Sequence, residues 1–291
     1  MISINYLPEE YKKGLYYGNM LGDIYVPERF SNRIVGHVVS NYLSRGEYFK
    51  PPLYLAIQGS PGEGKTTQAL AACVQKGIIV KYISSSELSG EYESDSKQKL
   101  EEVYEQTLKI RESGFIVCAL LDDFHLGNSN INSANGRTIN AELLVSYMMN
   151  LVDSKQDNHI PIILTGNDYS GTYEALLRDG RADIYNWKPS IDEKIEIVKM
   201  LFAYILQTNE LNKIDSFVRE YSQYSVAFFA QLRNDLRRNY IERVIGNYST
   251  INRDTISRIN DLVLTDLRQT DIKTLKSYAD ERIRARKEGK L

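Results

Sequence analysis

The residues whose chemistry is plainest stand together in LAIQGSPGEGKTTQAL, Leu55 to Leu70, where Gly59, Gly64, Lys65 and Thr66 satisfy the spacing G-x-x-x-x-G-K-S/T. A triphosphate needs several donors at close range, and a glycine-rich turn brings backbone N–H groups to it where a Cβ would collide. The helix that opens near Gly64 adds the positive end of its dipole. In this pattern Gly59, Ser60, Pro61, Gly62, Glu63, Gly64, Lys65, Thr66 and Thr67 form the phosphate-binding loop. Lys65 is expected to reach the β- and γ-phosphates, and the Thr66 hydroxyl to ligate Mg²⁺.

Three further groups have types and positions that suit the same chemistry. Phe115 to Leu121 runs without a charge into Asp122-Asp123, and carboxylates at the C-terminal end of a buried strand lie where ligands bind in open parallel sheets. Asp122 is expected to hold the Mg²⁺ ion through water, and Asp123 to orient or activate the attacking water. The run IPIILT, 160 to 165, ends at Gly166-Asn167-Asp168, where the Asn167 amide could position that water or could serve only the turn. Arg178 and Arg181 flank Asp179-Gly180, and they read either as surface charges or as arginine fingers that complete a neighbouring subunit's site.

The elements that must carry these residues alternate in type. Leu53 to Ile57 reads as a strand, Gln68 to Val74 as a helix ended by Gly77, and 77 to 83 as a second strand. A polar loop over 84–95, a helix over 97–112 and the strand 115–121 follow, then a long polar loop over 125–137. Thr138 caps a helix to about Val152, and 160–165 is the fourth strand. This alternation predicts a parallel sheet. From 188 onward strands give way to helices near 190–205, 211–222, 226–244, 254–266 and 271–287, the first opened by the capping box Ser190-Ile191-Asp192-Glu193. The expected organisation is an irregular segment over 1–23, an α/β nucleotide-binding domain over 24–187 and an all-helical lid over 188–291. Tyr25, Val26 and Pro27 precede a helix in which Ile34, Val38, Tyr42 and Leu43 recur at helical spacing, and His37 on it reads as a packing or surface histidine rather than a ligand.

Composition narrows the class. The chain has 291 residues, 42% hydrophobic and 25% charged, which suits a globular protein with a sizeable core. A net charge of -2 gives no global attraction to nucleic acid or an anionic membrane. Basic residues do cluster at Arg233, Arg237, Arg238 and Arg243 and at Arg282, Arg284, Arg286 and Lys287, but Asp235, Glu242 and Glu281 among them suggest solvated helix faces. Cys73 and Cys118 read as two buried thiols in a reducing compartment, no run approaches the roughly 18 apolar residues of a membrane span, and a cytoplasmic location is the expectation.

Together these segments resemble the AAA+ ATPases, and within them the Rubisco activases. The residues that carry the resemblance are IPIILTGNDYSGTYEALLRDGRADIYNWKPSIDEKIEIVKMLF, 160 to 202, with IYVPERFSNRIVGHVVSNYL before the phosphate loop, TINAELLVSYMMNLVD, and SVAFFAQLR from Ser225 to Arg233. The resemblance implies an AAA+ α/β core with a parallel sheet and a small helical lid. It also implies ATP and Mg²⁺ as cofactors, a homo-oligomer in a hexameric ring, and a protein client, with Rubisco as one possibility. It makes Asn167 the first sensor, Arg178 and Arg181 the fingers acting in trans, and Arg233 the second sensor, and it places Tyr25 and Val26 beside the adenine. Asp123 departs from the pattern, since such proteins usually carry Glu there, and Asp235 stands where activases tend to have a basic residue. Two rivals stay open: a DNA-linked AAA+ loader or initiator, motivated by the basic helices, and a nucleotide-gated binding protein that scarcely hydrolyses ATP, motivated by the short Asp123.

Overall fold

Period-two burial decides how the strands build a sheet with two covered faces. The computed structural model describes residues 4–43, 49–88, 95–124, 139–153, 159–169 and 174–289. The loop expected over 125–137, the cap at Thr138 and the 89–94 part of the polar loop lie outside these residues. Chain contacts form two compact units, one of Met1–Pro61 with Lys65–Lys188 and one of Gly62–Gly64 with Pro189–Leu291.

In the first unit the strands are β1 (Leu15–Tyr16), β2 (Tyr54–Gln58), β3 (Ile79–Ser84), β4 (Val117–Asp122), β5 (Ile162–Thr165) and β6 (Ala182–Asn186). Their order is β1-β3-β4-β5-β2-β6, parallel except for β1. The helices are α1 (Glu9–Lys12), α2 (Glu28–Leu43), α3 (Lys65–Gln75), α4 (Ser85–Leu88), α5 (Asp95–Glu112), α6 (Ile139–Asp153) and α7 (Glu174–Leu177). Leu55, Ile57, Cys118, Leu120 and Ile163 point to the face that α2 and α3 cover with Phe30, Ile34, Ala69 and Cys73. Tyr54, Ala56, Ala119, Leu121, Ile162 and Leu164 point to the other face, against Leu100, Tyr104, Leu144 and Met148 of α5 and α6. Uncharged strand runs are what a sheet covered on both faces requires. The Cys73 and Cys118 thiols are buried and reduced, with their sulfurs 3.8 Å apart.

Two strands depart from the sequence reading. The tyrosine-rich start, expected to be irregular, contains α1 and the edge strand β1, with Leu15 opposite Lys81. β6 is hidden in RADIYNW because only Ala182 of its five residues is buried, so it shows no apolar run. It nonetheless pairs with β2 along its full length, Tyr54 to Gln58 against Ala182 to Asn186.

The second unit is helical: α8 (Ile191–Phe202), α9 (Thr208–Leu211), α10 (Ile214–Glu220), α11 (Val226–Ile245), α12 (Arg253–Leu267) and α13 (Ile272–Lys287). Its core joins Phe202, Phe217, Phe228, Phe229, Leu232 and Leu275. The Ser190 capping box is formed in both directions, Glu193 N to Ser190 Oγ at 3.2 Å and Ser190 N to Glu193 Oε2 at 2.6 Å, and starts α8. Three of the basic residues seen in the sequence are engaged inside the unit: Arg238 and Arg282 bind Asp235 at 3.0 and 2.7 Å, and Arg237 binds Asn260. Among the described residues no helix is long and apolar enough to cross a membrane.

His37 on α2 generates a pH prediction. Burial first, then the nearby Arg33, lowers its pKa from 6.5 to about 4. The unfolded chain therefore takes up a proton near pH 6.5 that the folded chain refuses, so this contribution is full above pH 6.5 and is lost progressively down to about pH 4. The loss is up to about 3 kcal/mol. Urea unfolding at pH 7.5 and pH 5 should show a steeper fall in stability for the wild type than for His37→Gln. Equal falls in both proteins would refute the assignment.

Candidate nucleotide site

The strand order brings the chemistry together. β5 lies between β2 and β4, so its C-terminal end stands between the phosphate loop that leaves β2 and the acidic pair that ends β4. Leu121 is level with Leu164, which puts Asp122 level with Thr165 and on the same face of the sheet. Thr165, which sequence reasoning missed, donates to Asp122 Oδ1 at 2.7 Å. Thr66, the second residue of α3, donates to the same oxygen at 2.5 Å. Tyr82, also missed, lies on β3 and donates to Asp122 Oδ2 at 2.8 Å. Period two was the available signal for both, since Tyr82 and Thr165 have the strand parity that faces α3, but nothing in a single sequence says which strands are neighbours.

These bonds set the charge on Asp122. Its burial alone would raise the carboxyl pKa, but hydrogen bonds from Thr66, Thr165, Tyr82 and the Asp123 amide outweigh burial and hold it below the ordinary carboxylate range. Conversely, burial and the bond donated to Asp122 push the Tyr82 phenol up, so it stays a donor. Asp123 is exposed, with φ at 49°.

The phosphate loop is built by close approach. A Cβ on Gly59 would lie 2.1 Å from the Trp187 carbonyl oxygen, so only glycine fits where β2 ends beside β6. Trp187 is itself fixed by Phe30, 4.4 Å away between ring centres, and by Arg29, 4.8 Å above its ring. Lys65 opens α3 and its ammonium is held by Gly59 O at 2.8 Å, Ser60 O at 3.1 Å and Asn167 Oδ1 at 3.1 Å. Lys65 and Asn167, 102 residues apart, thus share one site. Ser60, Pro61 and Thr67 are exposed along the loop and first turn.

The donor set fits Mg·ATP. Mg²⁺ takes hard oxygen ligands and commonly uses one or two carboxylates together with phosphate oxygens, and here the Thr66 hydroxyl and the Asp122 carboxylate already meet. Gln68 of α3 donates to the Tyr25 carbonyl at 3.0 Å, and its Oε1 is buried with no hydrogen-bond partner among the described residues. An acceptor so placed suits an exocyclic amine such as that of adenine. Val26 packs against the core beneath α2.

Arg178 is exposed in the turn after α7, and Arg181 pairs with Asp153 at 2.9 Å. The Tyr54 amide donates to Arg181 O at 3.1 Å, so this turn sits at the start of β2 while the phosphate loop leaves its end. Arg233 is half-buried on α11 in the second unit.

Residues 55–190 match the family described as ATPase family associated with various cellular activities, AAA. The ribulose bisphosphate carboxylase/oxygenase activase of an Anabaena species is 31% identical over 225 residues, covering 72% of this chain and 53% of that protein. The chloroplastic activases of Oryza sativa and Arabidopsis thaliana are 28% and 27% identical, over 75% and 77% of this chain and 48% and 50% of theirs. The chain thus spans about half the length of these relatives. With the family match lying over the strands and loops that assemble the phosphate site, the chain belongs to the AAA family of ATPases and is a distant relative of the Rubisco activases.

Proposed function

We propose that this chain hydrolyses Mg·ATP in a ring of like subunits, with each nucleotide site completed by a neighbour, and uses the cycle to remodel a protein partner. The observation that carries the reading is the position of the RDGR turn. β2 runs five residues from Tyr54, where Arg181 is bound, to Gln58, where the phosphate loop begins. A strand rises about 3.3 Å per residue, so turn and loop are held roughly 13 Å apart by the sheet itself. An arginine there serves a second subunit's nucleotide better than its own. Arg178 is the exposed member and the one suited to reach, whereas Arg181 is engaged by Asp153 and steadies the turn.

Within a site, Lys65 binds the β- and γ-phosphates, Thr66 and Asp122 hold the metal, and Asp123 and Asn167 orient the water. The bound Mg²⁺ supplies charge neutralisation across the phosphates. Arg233 on α11 acts as the second sensor. The relatives are named as activases of ribulose bisphosphate carboxylase/oxygenase, which makes that enzyme the first client to test. The engagement of Arg237, Arg238 and Arg282 by Asn260 and Asp235 leaves the DNA-linked reading with less support.

Two outcomes are expected. Arg178→Ala should lower kcat by about 10³-fold, with nucleotide affinity changed less than about threefold. Mixing inactive Arg178→Ala with inactive Asp123→Asn should restore turnover, because some interfaces then combine an intact acidic pair with an intact arginine. No recovery on mixing, or turnover per subunit independent of protein concentration, would exclude the shared site. Separately, Tyr82→Phe with Thr165→Val removes two donors from Asp122. An aspartate with a depressed pKa keeps its charge until pH falls through that value, so losing the donors should move the acid limb of kcat/KM to higher pH. Half-saturation by Mg²⁺ should rise about tenfold or more.

A further inference from the structure

The middle of the phosphate loop belongs, by its contacts, to the helical unit: Gly62, Glu63 and Gly64 group with Pro189–Leu291. Its reason lies at the start of α11. Ser225 occupies the N-cap position, yet its hydroxyl makes no capping hydrogen bond. The first amides of a helix have no partner within it and must find acceptors elsewhere. Here the Ala227 amide donates to Gly62 O at 2.9 Å, and the Val226 amide to Glu63 Oε2 at 3.4 Å. The loop therefore supplies the cap, and a carboxylate also suits the positive end of the helix dipole.

The other oxygen of Glu63 is held as well. Lys194 on α8 reaches Glu63 Oε1 at 3.2 Å, with the two side chains only 9% and 11% exposed. The same ammonium donates to Tyr224 O at 2.9 Å and Ser222 O at 3.4 Å, carbonyls of the turn that leads into α11. A buried ion pair retains its charges only when both ends are satisfied in this way. Gly62 is left no room: a Cβ there would lie 2.9 Å from Ala227 Cβ and from Ser225 Oγ, at a φ of 77°. Lys194, Glu63, the turn at 222–224 and the first turn of α11 thus form one packed cluster inside the second unit.

We infer that Glu63 and Lys194 are positioning residues, a clamp that makes the phosphate loop and the helix carrying Arg233 move together. Gly64 and Lys65 follow Glu63 directly in the chain, so a loop that tightens on phosphates pulls on the cap of α11. Arg233 lies two turns into that helix. The inference rests on the ATP-binding reading above and goes beyond it by naming what conveys the loop's state to α11.

The experiment uses the full chain, a fluorescent N-methylanthraniloyl-ATP as binding probe, and hydrogen exchange at the Val226 and Ala227 amides. Lys194→Met should weaken probe binding about tenfold while kcat at saturation falls less than about threefold, and Lys194→Arg should restore most of the affinity. Combined with Arg233→Ala, Lys194→Met should add little to the loss from Arg233→Ala alone, because both act through α11. Glu63→Gln should speed exchange at Val226 without nucleotide. Full additivity of Lys194→Met and Arg233→Ala, or a fall in melting temperature with unchanged probe affinity, would reduce the pair to a structural bridge. Unchanged exchange at Val226 in Glu63→Gln would overturn the cap itself, even if Lys194→Met fails to fold. Failure of the wild type to bind the probe would instead overturn the ATP reading, and the positioning role with it, while the exchange result still decides the cap.

Discussion

Everything at this site depends on a single carboxylate being held ionised by neutral hydroxyls. Asp122 Oδ1 accepts from Thr66 at 2.5 Å and Thr165 at 2.7 Å, and Oδ2 accepts from Tyr82 at 2.8 Å. Three elements meet at that point: α3 starts there with Thr66 as its second residue, β5 ends there at Thr165, and β3 passes with Tyr82 two residues before its end. Opposite charges would hold Asp122 more strongly, but they would also neutralise the field that a divalent cation needs. Hydroxyl donors keep the charge and fix its direction.

The same arrangement explains which parts could be read from one sequence. The phosphate loop and Asp122-Asp123 were legible because their chemistry is written in contiguous residues with apolar flanks. The four inner strands were legible because burial on both faces leaves apolar runs such as Val117 to Leu121, broken by a charge only at Lys81 of β3. β6 was not, since four of its five residues are at least partly exposed, and β1 was too short to show a pattern. Thr165 and Tyr82 act across strands, at separations of 43 and 40 residues from Asp122, and the pairing that brings them there is set by topology. Lys194 meets Glu63 across 131 residues, a contact no local periodicity encodes.

The sheet also separates functions along its strands. The C-terminal ends of β2, β4 and β5 gather the groups to which the proposed function assigns phosphate, metal and water. The N-terminal end of β2 holds the RDGR turn through Arg181 O. In an isolated chain this would leave the arginines with no part in phosphate chemistry. Side by side in a ring, the two ends of one sheet can address two different nucleotides. Under the proposed shared site each subunit would depend on its neighbour, and hydrolysis would follow assembly.

Asp123 shows how backbone geometry selects a side chain at such a site. Its φ of 49° lies in the left-handed region, which costs a non-glycine residue about 1 kcal/mol and which Asp tolerates better than longer or branched residues. The turn is held from both sides: the Asp123 amide donates to Asp122 Oδ1 at 3.0 Å, and the Phe124 amide to Thr165 O at 2.9 Å. These bonds repay the strain by adding one more donor to the charged carboxylate. Asp122 is half-buried among the hydroxyls, and Asp123 is exposed. The shorter side chain that distinguishes this chain from the usual Asp-Glu pair therefore matches the conformation the turn requires. A Glu here would gain a methylene of reach, and it would have to adopt a backbone state that Asp enters more readily.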